Sequence, residues 1–395
     1  MMSFFSPSHQ KWLLLVVGLL AGFASGRYFT PGSAAGQSGS TATEHYADRN
    51  PTAQKSDGER SGPKTGGGRG ESKEFGEAVR SIFRETIKER RVEQFDSMLA
   101  RTDVSQFESL VALIRENDLR GNDSGEEWTR LWQAWGQRDP TAAFAFLRDH
   151  DWTGWDPNAM GEARNRALIG WAQTDPLNAS RHVEGDEAFA LGSRDMIFPL
   201  IRGWSEVDPE AAVAWLAKSG LGRSKEYEVV VEAINRRRGA EGLEAWFAGE
   251  IRSIASEQDR AGFAQAIANL KQEYEPEKAA AWVEQYLDEE WLPESEILES
   301  TASAFASRNP QDAMTWAAKT GIPNASIIAM ATWCNQDIAA ASHWMIDNAG
   351  DSAHAQAIPV VADFLMRDNP AAAKRWLETL PPSDLRETLL QGLDQ

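Results

Sequence analysis

Large apolar residues fall along the chain in two alternating beats. In the first, two apolar positions lie four residues apart, the spacing of one helical face: Leu131 with Trp135, Leu200 with Trp204, Val361 with Leu365. In the second, an Ala is followed three residues later by a Trp, again on one face: Ala212 with Trp215, Ala279 with Trp282, Ala313 with Trp316. A short polar break separates the beats, most clearly at Asp208-Pro209. A carboxylate there can accept an orphan backbone N–H of the coming first turn. Proline at the first helical position has its φ already set and no N–H to lose. The pattern predicts helix A, a break, then helix B opened by the Asp-Pro pair.

The phrase recurs through most of the chain. Aligned on the proline slot, the anchors are Val104, Pro140, Pro176, Pro209, Ala240, Pro276, Pro310, Ile338 and Pro370, with neighbours 28 to 36 residues apart. The residue before the anchor is Asp or Asn at 103, 139, 175, 208, 309, 337 and 369. Trp occupies the sixth position after it at 215, 246, 282, 316, 344 and 376. The whole chain has only 16 Trp, so six in nine equivalent slots is a repeat rather than composition. A helix pair with a period in the low thirties has the size of a solenoid unit. One pair cannot bury side chains as large as Trp, whereas stacked pairs can, each touching only its neighbours. The expectation is an all-α body over residues 73–395, a right-handed α-solenoid of about nine helix-pair repeats. The Asp/Asn slots are expected to be caps, and the Ala and Trp slots core.

The ends depart from the repeat. In residues 1–30, Lys11 precedes an apolar run from Trp12 to Ala24, followed by Ser25, Gly26 and Arg27. Such a run is short for a membrane span and suits the apolar region of a signal peptide. Arg27 with Tyr28 and Phe29 equally suits an uncleaved signal-anchor helix. Either way, the short basic N-terminus stays inside and the rest lies outside. Residues 31–72 are rich in Gly, Ser, Thr and charge, with almost no large apolar residue, and read as a disordered linker. The unit at residues 77–116 and the segment 383–393 are expected to close the two ends of the array.

The chain carries a net charge of −19, and its first 72 residues hold seven basic against five acidic side chains, so the body carries −21. That charge argues against nucleic acid and anionic membrane surfaces as partners. A single cysteine, Cys334, rules out an internal disulfide. The six histidines form no His-Glu-x-x-His pair and no metal spacing with the cysteine, so neither metal nor cofactor is expected. His150, between Asp149 and Asp151, is the densest titratable cluster, and His182 occupies a Trp slot. The candidates for partner binding are Arg236, Arg237 and Arg238, a basic run in an acidic body, and three tryptophans outside the repeat slots, Trp152, Trp155 and Trp291.

On the helix-pair layout and the Asp-Pro-x-x-Ala-x-x-Trp phrase, the body resembles the tetratricopeptide-like class of α-solenoids. The resemblance implies architecture and the generic role of such arrays in holding partners. It transfers no functional residue, because the proline here opens helix B instead of following it. The order of anchor, tether and helical body is also similar to that of lipase-specific foldases, with Arg91-Val92-Glu93-Gln94-Phe95-Asp96 echoing their Arg…Phe-Asp motif at a different spacing. The expected function is a non-enzymatic scaffold, tethered outside the cytoplasmic membrane, which binds protein or peptide. The alternatives are an enzyme or foldase-like chaperone built on helical repeats, and a purely structural envelope spacer.

Overall fold

The Asp-Pro break is the local device from which the fold is built. In the computed structural model the residue before most anchors leaves the helical region at φ between −155° and −142°, with ψ between 73° and 102°, at Asp139, Asp175, Asp208, Glu275, Asn309, Asp337 and Asn369. One residue performs both jobs at the break. The backbone N–H of Asp139, Asp175 and Asp208 donates at 2.8 Å to the carbonyls of Trp135, Trp171 and Trp204, which closes helix A. Their carboxylates then accept the N–H groups of Ala142, Asn178 and Ala211 at 2.9, 3.2 and 3.0 Å, which opens helix B. Asp337 and Asn369 cap in the same way. Asn309 differs: its carboxamide donates to Asp312 on the first turn. The two helices therefore meet with no loop between them.

The structure describes residues 68–185, 195–292 and 296–393. The expected signal or anchor segment (1–30) and most of the expected linker lie outside the described residues. The first described helix, α1 (Gly68–Phe83), starts inside the stretch read as linker. There follow α2 (Lys88–Leu99), α3 (Phe107–Leu119), α4 (Gly125–Arg138), α5 (Pro140–Asp149), α6 (Ala159–Thr174), α7 (Pro176–Gly185), α8 (Ile197–Val207) and α9 (Pro209–Ser219). Then come α10 (Ser224–Trp246), α11 (Glu257–Tyr274), α12 (Pro276–Val283), α13 (Ile297–Arg308) and α14 (Pro310–Thr320). The last are α15 (Pro323–Asn348), α16 (Ile358–Asp368), α17 (Pro370–Thr379) and the closing α18 (Asp384–Leu393). No described residue is in a strand. No described helix is long and apolar enough to cross a membrane.

Two of these helices are fused pairs. Asp337 breaks α15, and Gly239, with φ 70°, breaks α10. Gly239 stands where other units have Asp or Asn, so this break has no side-chain cap and uses the left-handed region open to glycine. A further Asp-Pro pair, Asp156-Pro157, would suit the opening of a helix A by the same cap chemistry, but Asp156 accepts the Asn158 N–H at 2.8 Å in a turn, and α6 begins at Ala159.

The helices pack on their neighbours along the chain. From α4 onward each helix A lies on its own helix B, and the A helices follow one another in series: α4 on α6, α6 on α8, α8 on α10, α10 on α11, α11 on α13, and α13 on α15. Three glycines let the first of these come within backbone contact. A Cβ on Gly136 would lie 1.8 Å from the Ala167 carbonyl oxygen, one on Gly170 2.0 Å from that of Gln133, and one on Gly203 2.4 Å from that of Ile169.

The Ala slot is core throughout: Ala143, Ala179, Ala212, Ala279, Ala313, Ala341 and Ala373 are fully buried. The Trp slot is less uniform. Trp246, Trp282, Trp316 and Trp376 are buried. Trp215 and Trp344, expected in the core, are only half-buried. At Trp215 the indole N–H reaches Glu184 at 3.1 Å on the surface, and Val213 and Leu216 supply the fully buried contacts of that helix.

Candidate functional site: an aromatic-floored groove beside α3

The densest aromatic packing forms where α4 and α5 meet the turn that follows them. On α4, Trp128, Trp132 and Trp135 are spaced four and three apart, so all three indoles share one face and are buried. Trp132 and Trp135 stack with centroids 5.0 Å apart. Phe146 of α5 packs on both, at 5.9 and 5.3 Å. His150, the residue that ends α5, stacks flat on Phe146 at 4.6 Å and meets the edges of Trp152 and Trp155 at 4.9 and 5.4 Å. Its Nε2 is buried and meets no hydrogen-bond partner among the described residues.

The turn that carries Trp152 and Trp155 is held from three sides. The Trp152 N–H donates to the Leu147 carbonyl at 3.0 Å. The Asp151 carboxylate accepts from the Thr153 side chain and from the Thr153 N–H at 2.9 Å, and these two bonds, the side-chain one first, keep the carboxyl below its ordinary range. Gly154 takes φ 75°, which presents its carbonyl to Arg115 of α3 at 2.8 Å. The Arg115 guanidinium then lies 4.1 Å above the Trp155 ring, within cation–π range.

Between α3 and this turn lies a groove of about 650 Å³. Its larger apolar lining residues are Val111 and Leu119 from α3, with Phe146 and Trp155 opposite. Leu119 is 74 % exposed at the rim. The charged rim is of mixed sign. Glu116 sits between Arg80 at 3.1 Å and Arg120, and the hydrogen bond from Arg80 holds its carboxyl below the ordinary range. Glu108 and Asp151 also line the opening, and neither is in an ion pair with Lys or Arg among the described residues. Arg115, Arg120 and the carboxylates can orient a polar backbone, while the four apolar side chains supply area.

Of the residues singled out in the sequence, Trp155 lines this groove and Trp152 supports it from beneath. Trp291 does not belong to an open face. It is 6 % exposed and packs against Phe247 and Tyr286 at 6.2 and 6.0 Å, which leaves little of its ring to meet a partner. The arginine run lies on other elements, at the break in α10. Arg237 donates to Glu210 at 3.1 Å and to the Val207 carbonyl at 2.7 Å. Arg238 joins Glu210 to Glu250 at 2.9 and 2.7 Å. Burial raises the Glu210 carboxyl, but its backbone and arginine hydrogen bonds outweigh that and leave it below the ordinary range. Arg236 is exposed, 3.6 Å from Glu232 on its own helix.

The remaining candidates are structural in their contacts. Arg91 donates to the buried Glu127 at 2.6 Å, and Phe95 is fully buried against Phe83, so the foldase-like stretch is engaged in packing. Burial pushes the Cys334 thiol up to about 12, which keeps it protonated. Asp149 beside His150 pairs with Arg148, and His182 packs between Phe144 and Trp171. No group of three or more metal-ligating side chains exists among the described residues. Phe146 and Arg115 escaped the sequence reading; the crowding of aromatics between Trp128 and Trp155 was the available signal. Comparison of the chain with family models, curated proteins and solved structures found no match.

Proposed function

We propose that the protein is a scaffold that holds a peptide or protein segment in the groove beside α3, and does no chemistry on it. The observation that carries this reading is the groove itself: a set of aromatic and aliphatic side chains, fixed from beneath by stacked rings, with charged groups confined to its rim. That division, apolar centre and polar edge, is the anatomy of a protein-binding patch. We further propose that the helix pairs stack as a right-handed α-solenoid of nine units, a reading supported by the serial contacts of the A helices. In this picture the N-terminal segment tethers the body outside the cytoplasmic membrane.

The test is photo-cross-linking in intact cell envelopes, with a photoreactive residue replacing the exposed Leu119. The expected result is a discrete set of cross-linked polypeptides, identified by mass spectrometry, that is missing when the photoreactive residue replaces the exposed Gln285 instead. Identical products from both positions, or none, would remove the groove as a binding site and leave the spacer reading. Protease added to opened cells should degrade the body while cytoplasmic markers survive.

A further inference from the structure

The charges around the groove divide into those already met and those left open. The Arg115 guanidinium is held over Trp155 and on the Gly154 carbonyl. Arg120 is bound to Glu116, whose other side is taken by Arg80. Arg120 is thus neutralised within the rim, whereas Arg115 is held in place but meets no carboxylate among the described residues. Two carboxylates of the rim also lack an ion pair with Lys or Arg among the described residues: Glu108, and Asp151, whose hydrogen bonds from the Thr153 side chain and N–H hold its carboxyl below the ordinary range. With Glu116 set against Arg120, two open carboxylates outnumber the one guanidinium of the lining outside an ion pair, Arg115, so the opening is net negative. The surrounding protein has the same sign, at −19 overall.

Building on the peptide-binding reading above, we propose that the groove's ligand is a basic amphipathic peptide segment, with apolar side chains seated on Leu119, Phe146 and Trp155 and Lys or Arg side chains meeting Glu108 and Asp151. An acidic segment would bring its carboxylates against these two, with only Arg115, already held over Trp155 and on the Gly154 carbonyl, to set against them. A purely apolar segment would leave both carboxylates facing it unpaired, a cost that grows as water is displaced. The long-range field works in the same direction. It concentrates basic segments near the surface and raises their rate of encounter, while the groove supplies the specific contact.

The experiment uses the full-length protein in mild detergent and three labelled peptides of one length, read by fluorescence anisotropy. Their apolar positions are identical, and the polar positions are all Lys, all Gln or all Glu. The Lys peptide is expected to bind at least about 10-fold more tightly than the Glu peptide, the size that two ion pairs plus steering can provide. The double variant Glu108→Gln with Asp151→Asn should lose most of that preference. A control, Glu284→Gln with Glu290→Gln, removes the same charge from exposed carboxylates elsewhere and should keep it. Equal loss in both doubles would reduce the preference to bulk charge and overturn the proposal. Leu119→Ser alters only an exposed side chain, so the fold should persist while the Lys peptide weakens several-fold, as expected for losing a leucine contact. If all three peptides bind equally well and Leu119→Ser weakens them all, the basic-ligand inference fails and the peptide-binding reading stands. If none binds, that reading fails with it.

Discussion

Trp215 and Trp246 occupy the same slot of adjacent units, yet one is half-buried and the other wholly enclosed. Truncation should expose the difference. Trp246→Ala is expected to cost about 3–5 kcal/mol, the range for a large buried aromatic. Trp215→Ala should cost clearly less, because part of its ring already faces water and its N–H bond to Glu184 is at the surface. Urea denaturation of both variants measures this, and equal costs would contradict the difference in burial between the two rings. Glu226 offers a second residue-scale test. It is buried in the first turn of α10, and burial holds its carboxyl above the ordinary range despite hydrogen bonds from the backbone of Glu226 and Arg223. The folded protein therefore binds this proton more tightly than the unfolded chain does. Stability contributed here falls as pH rises from the unfolded pKa, about 4.3, to the folded one, and the full penalty remains above both. Glu226→Gln removes the penalty. The variant should melt above its parent at pH 7, with the gap closing near pH 4.

At the scale of elements, the break between helices was legible because its chemistry is local. An Asp or Asn, a Pro and the next two residues complete the cap, and five of the six breaks with Asp or Asn from 139 to 369 cap as the pattern required. What lay beyond the sequence depended on neighbours. The arginine run stood out as a basic anomaly, but its partners Val207, Glu210 and Glu250 come from elements on either side of it. Likewise the groove draws Arg115, Phe146 and Trp155 from three separate stretches, and no spacing rule joins them. Arg237→Gln should cost about 1 kcal/mol through the lost bond to the Val207 carbonyl, whereas Arg236→Gln should stay within about 0.5 kcal/mol of the parent. The close approach of α4 to α6 can be tested on a single helix. Gly170→Ala would drive a methyl into the Gln133 carbonyl and should cost at least 1–3 kcal/mol, roughly the range for overpacking. Gly161→Ala, in open space on the same α6, should instead be neutral or stabilising by up to about 1 kcal/mol.

For the whole molecule, the question is how far damage travels. A body in which each helix touches mainly its neighbours along the chain should respond locally to a core lesion. Trp282 suits the purpose. It is buried in α12, with Phe247 and Tyr286 against its ring, and so belongs to a middle unit with neighbours on both sides. In Trp282→Ala, hydrogen exchange should lose protection from α11 through α13 and in the second half of α10. Protection in α4 to α6, and in α16 and α17, should stay near that of the parent, because no contact path reaches them except through intact units. The N-terminal end has its own reason to hold. There the Trp128, Trp132 and Trp135 cluster, the Phe146–His150 pair and the glycine-mediated contact of α4 with α6 form continuous packing under the groove. Peptide binding at the groove should therefore survive a lesion at Trp282. Protection lost uniformly from α1 to α18, together with lost binding, would show instead that the body opens as one cooperative unit and that stacked, separable repeats are the wrong description of it.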